Sequence, residues 1–313
     1  LFRFDAIKLI LVGVAALSLL DASFLHSQTL PRKNGRFFLP DEWLLGRGQP
    51  FHYRVDASNN GLRLSERPAT KEESRAIEEL EKYFSDAASK AYLIGDGRRV
   101  VKTSFKNPAT SASTFLSASI DKTVTAMSAG IAICDGKIKL ETKAGELLPE
   151  LVGTHIGEST LKDNLMMTSG TINAFDDTQS LTPDETTSLL TGKISFLSLI
   201  TGRLGKQQGN QKPGETFSYK SQDPLLVGMM VSSAYGMRGK NFREWQKDNL
   251  FAEVKLNDQR IQGRDQFGYA QADGNTRLTL NDWARFAVFV QEARKKDDCY
   301  GKFVKEATST QIK

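Results

Sequence analysis

From Thr123 to Cys134 almost every position is apolar or small, with no polar stripe among them. A helix that is apolar nearly all round belongs at the centre of a domain. A central helix is therefore predicted to begin at Ser119 and to stop at Asp135-Gly136. Upstream, Thr70-Lys71-Glu72-Glu73 forms a capping box. Ile77, Leu80, Phe84 and Ala87 then recur on one face, predicting an amphipathic helix to about Lys90. Short apolar runs at 91–94 and 99–105 flank Gly95-Asp96-Gly97, the pattern of two strands joined by a tight turn. Further helices are predicted over 161–167, ending at Gly170, and over 187–200, 223–235, 241–250 and 279–295.

Between these elements the pattern weakens. Residues 24–70 are rich in Pro, Gly, Asn and Arg without sustained periodicity and read as an extended, loop-rich approach to the fold. Residues 171–216 are polar and turn-rich around the 187–200 helix. Strand candidates flanking long helical insertions give an α+β or mixed α/β plan, with helices packed on a sheet. The N-terminus differs in kind. Arg3 and Lys8 accompany an apolar run from Ile7 to Leu20, shorter than the roughly 20 residues that span a bilayer. With small residues at Asp21-Ala22-Ser23, it reads as a secretory signal peptide, an uncleaved anchor being the rival reading.

Composition narrows the function classes. The 313 residues are 25% charged and 39% apolar, ordinary for a soluble domain, and the net charge is only +5. The densest basic spots, Arg98-Arg99-Lys102-Lys106 and Arg294-Lys295-Lys296, do not interleave with aromatics. They read as solvated faces and point to no nucleic-acid partner. Cys134, inside the apolar helix, reads as a buried free thiol rather than as half of a bridge to Cys299.

The start of the central helix carries the chemistry. Ser119 and Lys122 are three residues apart and share a helix face. The helix dipole favours negative charge at the serine oxygen. Desolvation of the lysine would free its amine to take the serine proton, placing a nucleophile beside its base. The competing reading is an N-cap serine with a solvated lysine. A second copy, Ser159-Thr160-Leu161-Lys162, reads as a polar helix start with a surface lysine. Later, Phe217-Ser218-Tyr219-Lys220-Ser221 follows Pro213-Gly214 and precedes a helix, so the Tyr219 phenol is a candidate proton relay. His26, His52 and His155 are the only histidines, and there is no G-x-S-x-G, H-E-x-x-H, C-x-x-C or P-loop motif. Histidine-triad, zinc and nucleotide chemistry thus have no local support. Asp176-Asp177 reads as a solvated acidic loop. Asp121, pointing about 100° from Lys122 on a helix, should not pair with it, and Asp121→Asn should leave activity nearly intact.

In order, Ser119-x-x-Lys122, Leu147-Leu148-Pro149-Glu150-Leu151, Leu165-Met166-Met167-Thr168-Ser169-Gly170 and Phe217-Ser218-Tyr219-x-Ser221 resemble the serine β-lactamase and penicillin-binding-protein superfamily. Within it the chain is most similar to class C-type serine hydrolases: esterases, D-amino-acid peptidases and 6-aminohexanoate-dimer hydrolases. The segments 128–138 and 281–286 are similar to the last group. The resemblance implies an antiparallel sheet flanked by helices, with a helical subdomain, over 71–313, preceded by the 24–70 segment and the 1–23 leader. It implies an acyl-enzyme formed on Ser119, with Lys122 as base and Tyr219 moving protons. Ser221 stands as the supporting third member of the Tyr219 motif, and the Ser119 N–H as half of an oxyanion hole. Neither metal nor organic cofactor is implied, and the substrate would be a small-molecule or peptide-like amide or ester. The leader implies export to the periplasm or beyond, or an inner-membrane anchor. The family's K-[ST]-G or H-x-G strand is absent after Tyr219, so a C-terminally truncated sequence is expected. A non-catalytic relative that binds a peptide or wall-like ligand in the same cleft is the alternative.

Overall fold

The computed structural model describes residues 51–311, apart from 88, 174–184, 186–187, 189–190 and 259, and three short strands before them. Those strands are β1 (Ile10–Gly13), β2 (Arg32–Lys33) and β3 (Arg36–Phe37). The leader expected over residues 1–23 lies outside the described residues except at β1. Among the described residues no helix is long and apolar enough to cross a membrane.

The predicted capping box opens α1 (Lys71–Asp86). Thr70 accepts from the Glu73 N–H, and the Glu73 carboxylate accepts from the Thr70 N–H. The predicted hairpin is β6 (Ala91–Asp96) with β7 (Arg99–Phe105), antiparallel. Its side chains alternate between two faces, as a strand requires. Tyr92 and Ile94 pack under Phe84 of α1, whereas Ala91 and Leu93 join the core on the other side. β1 pairs with β6, and β5 (Ser65–Glu66) runs parallel to β7, giving the order β1-β6-β7-β5. A second, antiparallel sheet runs β4-β9-β10-β8, built from His52–Val55, Arg260–Gly263, Thr276–Thr279 and Thr114–Leu116. The sequence patterning does not predict this sheet. Its strands bury Arg260, Gln262 and Arg277, so they carry no apolar alternation.

The central helix is α2 (Ile120–Cys134), and its all-round apolarity has a clear cause. Val124 and Met127 face a core shared with β6, β8, β10 and α9 (Leu280–Ala293). Ala129 and Ala132 face a second, helical core built around α6 (Gln222–Ala234). The intervening short helices are α3 (Ala144–Leu147), α4 (Leu161–Leu165) and α5 (Phe196–Thr201). After α6, the helix predicted over 241–250 is α7 (Phe242–Gln246), which widens into a π turn at Lys247–Phe251 before α8 (Ala252–Val254). Helix α2 is therefore the seam between a sheet layer and a helical layer, and its N-terminus opens where the two meet.

Its C-terminal half is held from outside by α10 (Cys299–Ala307). A Cβ on Gly130 would lie 2.3 Å from the Phe303 ring, so only glycine permits this approach. Cys134 and Cys299, 165 positions apart, form a disulfide there with a Cα–Cα distance of 5.8 Å. This corrects the expectation of a free thiol. The apolar setting of Cys134 is real, but docking of α10 brings its partner to it.

Candidate active site

Strand β8 delivers Ser119. The Ser117 N–H donates to Thr276 O at 2.8 Å and its Oγ accepts from the Thr276 N–H at 3.1 Å, fastening the strand end to β10. Ala118 then adopts φ 43°, a left-handed conformation costing a non-glycine residue about 1–3 kcal/mol. That kink turns the chain out of the sheet and directly into the first turn of α2. Ser119 sits at the N-cap position with helical φ −65° and ψ −6°, exposed, its hydroxyl making no cap hydrogen bond. The N-cap use of its side chain is thereby excluded, and the hydroxyl faces open space at the positive end of the helix.

Lys122 lies one turn on, half-buried. Its Nζ donates to Asp273 O at 3.1 Å and stands 5.1 Å from the centroid of the Tyr219 ring. The ammonium is thus held by a neutral carbonyl and an aromatic face, a cation–π arrangement. Among the described residues no carboxylate forms an ion pair with it. Tyr219 is 46% exposed, on the irregular run that leads into α6. Ser221 occupies the N-cap position of α6, half-buried, and its side chain makes no cap hydrogen bond. The fold therefore brings Ser119, Lys122 and Tyr219 to one place, with Ser221 two residues beyond. The second S-x-x-K copy is built differently. Ser159 is buried, its Oγ donating to Ile156 O at 2.6 Å and accepting from Asn164 at 2.8 Å, while Lys162 is exposed.

Among the described residues Asp121 forms no ion pair with Lys122, and its surroundings give it a structural role. Fully buried, it accepts from Arg243 Nη2 at 2.8 Å, the Asn275 N–H at 2.9 Å and Thr276 Oγ1 at 2.8 Å. Arg243, 1% exposed, also donates to Gln271 O at 2.5 Å and Gln246 Oε1 at 2.8 Å. Together with Thr125 Oγ1 on Ala272 O at 2.7 Å, these bonds tie the 271–276 loop along the first turns of α2. The carbonyl that holds Lys122 belongs to that same loop. Sequence reasoning missed Arg243 entirely, because a buried arginine inside an ordinary-looking helix carries no local signal.

A second buried charge cluster lies behind Tyr219. Lys220 is fully buried, with its Nζ 2.9 Å from Thr171 O. Asp223, on the first turn of α6, accepts from Ser169 Oγ at 2.7 Å and, longer, from the Ser169 N–H at 3.4 Å. Burial pushes the Asp223 carboxyl up to about 6 against the opposing pull of Lys220 and Ser169. Burial lowers the Lys220 amine, Asp223 pulling the other way. Asp176 and Asp177 lie outside the described residues. Among the described residues no group of three or more His, Cys, Asp and Glu side chains could hold a metal ion.

Solved structures share this architecture. A protein named as a 6-aminohexanoate-dimer hydrolase from Bacillus anthracis is 17% identical, with a TM-score of 0.58 over 79% of this chain and 68% of that one. An octameric penicillin-binding protein homologue from Pyrococcus abyssi is 17% identical, with a TM-score of 0.56 over 76% and 61%. A D-alanine carboxypeptidase from Burkholderia cenocepacia is 19% identical, with a TM-score of 0.53 over 74% and 66%. The chain thus spans about two thirds of the length of these structures, and at such identity the likeness establishes the fold alone. No curated protein matches the chain. The Beta-lactamase family model matches residues 78–299, a span running from α1 through β6, β7, the Ser119 turn, the Tyr219 loop and α9 to Cys299. By this match, in the sheet-and-helix architecture described, the chain belongs to the beta-lactamase family.

Proposed function

We propose that the protein is an exported serine hydrolase that cleaves an amide or ester through an acyl-enzyme on Ser119. Members of the family are serine hydrolases of this kind, and the reading for this chain rests on one observation. Lys122 stands one helical turn from Ser119, whose side chain makes no cap hydrogen bond, and is held by a carbonyl and the face of Tyr219. An amine one helical turn from a serine hydroxyl is placed to take its proton.

In the proposed cycle the Ser119 Oγ–H proton passes to the Lys122 amine as Oγ attacks the substrate carbonyl. The Ser119 N–H, at the helix N-terminus, stabilises the oxyanion. Collapse of the tetrahedral adduct expels the leaving amine or alcohol, which takes the proton from Lys122 through the Tyr219 phenol. Water then attacks the acyl-Ser119 ester, giving its proton to the same pair, and the carboxylic acid departs as Ser119 is regenerated. Ser221 lines the start of α6 beside this path. Export is supported by the Cys134–Cys299 disulfide, a bond that persists in oxidising compartments.

The test is covalent labelling of the full-length protein with a fluorophosphonate, followed by single-turnover hydrolysis of p-nitrophenyl esters, nitrocefin and D-alanyl peptides. Ser119→Ala should label not at all. Lys122→Arg should lose acylation, because a guanidinium keeps its proton in any working range. Labelling that survives Ser119→Ala would sink the nucleophile assignment. A wild-type protein that binds such peptides without turnover would establish the non-catalytic alternative.

A further inference from the structure

Lys220 sits between exposed Tyr219 and half-buried Ser221 of the same motif, yet is itself fully buried. Along 217–220 exposure alternates: Phe217 is 51% exposed, Ser218 half-buried, Tyr219 46% exposed and Lys220 0%. Such alternation places neighbouring side chains on opposite faces of the run, as in a strand. Drawing Lys220 inward therefore obliges Tyr219 to face outward, toward Lys122. The surface that receives Lys220 is well fixed. Its Nζ donates to Thr171 O at 2.9 Å, and the same strip is laced to the motif by Gly214 N–H to Thr168 O at 2.7 Å and Ser218 N–H to Met167 O at 3.0 Å. Gln222 Nε2 donates to Thr171 Oγ1 at 3.3 Å, and Ser169 Oγ to Asp223 at 2.7 Å.

An apolar side chain of similar length would fill this position without the desolvation cost of an ammonium. The charge earns its place only through the direction its hydrogen bond imposes. We propose that Lys220 is a positioning residue for Tyr219: anchored on the Thr171 carbonyl, with Asp223 as counter-charge, it fixes the phenol over the Lys122 amine. This rests on the proposed proton-transfer role of Tyr219. The depressed amine of Lys220 and the raised carboxyl of Asp223 fit a pair that the fold holds against solvation.

A double-mutant cycle in the full-length protein tests it, with single-turnover acylation by a p-nitrophenyl ester and the melting temperature as readouts. Tyr219→Phe and Lys220→Met should each slow acylation, on the order of tenfold to hundredfold, the range that small misplacement of a reacting group produces. The Tyr219→Phe/Lys220→Met double variant should be no slower than Tyr219→Phe alone, because Lys220 would act only through the phenol. Lys220→Gln, which keeps a donor for Thr171 O without the charge, should recover much of the rate, and it carries the same cycle if Lys220→Met does not fold. Effects that multiply independently in the double variant would overturn the proposal. So would a wild-type rate in Lys220→Met or in Tyr219→Phe. Acylation persisting in Ser119→Ala would instead remove the nucleophile, a separate failure visible in the same assay.

Discussion

Asp121 and Asp223 are both fully buried carboxylates on the first turn of a helix, each within four residues of a motif member, and they are held in opposite ways. Asp121 is saturated: a guanidinium, a backbone N–H and a hydroxyl all reach it within 2.9 Å. Asp223 has Ser169 as its donor and a lysine that bonds elsewhere. The first arrangement supplies the anion with what water would have given, and the second does so only in part, so burial dominates and raises its carboxyl. Ser119 thus stands on a clamp saturated with donors, whereas Tyr219 stands beside a cluster whose charge can change.

Removing one partner of the saturated pair should do the most damage. Asp121→Asn leaves the Arg243 guanidinium buried without its counter-charge, a loss of about 3–5 kcal/mol. Pairing it with Arg243→Met should recover most of that stability in urea unfolding. If the double variant folds well but acylates slowly, the clamp also serves geometry, through the loop whose Asp273 carbonyl holds Lys122. Equal stability of Asp121→Asn and wild type would break the comparison at its root.

A smaller effect is expected at the other end of α2. The Cys134–Cys299 bond closes a loop of 165 positions and pins α10 where Gly130 admits Phe303. Replacing both cysteines by alanine should cost about 2–4 kcal/mol, read by the same unfolding series. Acylation per folded molecule should hardly change, since the bond lies a full helix length from Ser119. A loss of activity without loss of stability would show that α2 transmits strain from one end to the other.

These contrasts also mark what the chain disclosed in advance. Ser119 and Lys122 were legible because a helix turns a three-residue spacing into a shared face, and α2 because burial on both sides needs apolar residues on both sides. The α1 capping box and the β6–β7 hairpin were equally local. Asp121–Arg243 was not, since its members are 122 positions apart and charged residues read by default as solvated. The second sheet was hidden for the same reason, because its short strands bury Arg260, Gln262 and Arg277 instead of an alternating apolar face. Lys220 left a fainter trace. It sits between two residues of a motif, and nothing local names the carbonyl that receives it.

The mildest perturbation, Asp223→Asn, sharpens the comparison by its pH dependence. Asp223 is raised from 3.8 to about 6 in the folded protein, so folding takes up a proton between those values. Its contribution to stability is fully present below about 4 and is lost as pH rises through about 6. Asparagine is neutral throughout and escapes that loss. The melting temperature of the variant, measured relative to wild type, should therefore rise across pH 4–7 and level off above. Below about 6 the Asp223 carboxyl is protonated in wild type as well, so Lys220 lacks its counter-charge in both proteins there and adds no slope of its own. The other groups at the cluster are Asp163, which raises Asp223, and His155, whose Nε2 lies 3.0 Å from Ser169 O, and both are present in either protein. A flat difference for Asp223→Asn would mean that Ser169 and Lys220 already satisfy the carboxylate, making the two sites alike after all.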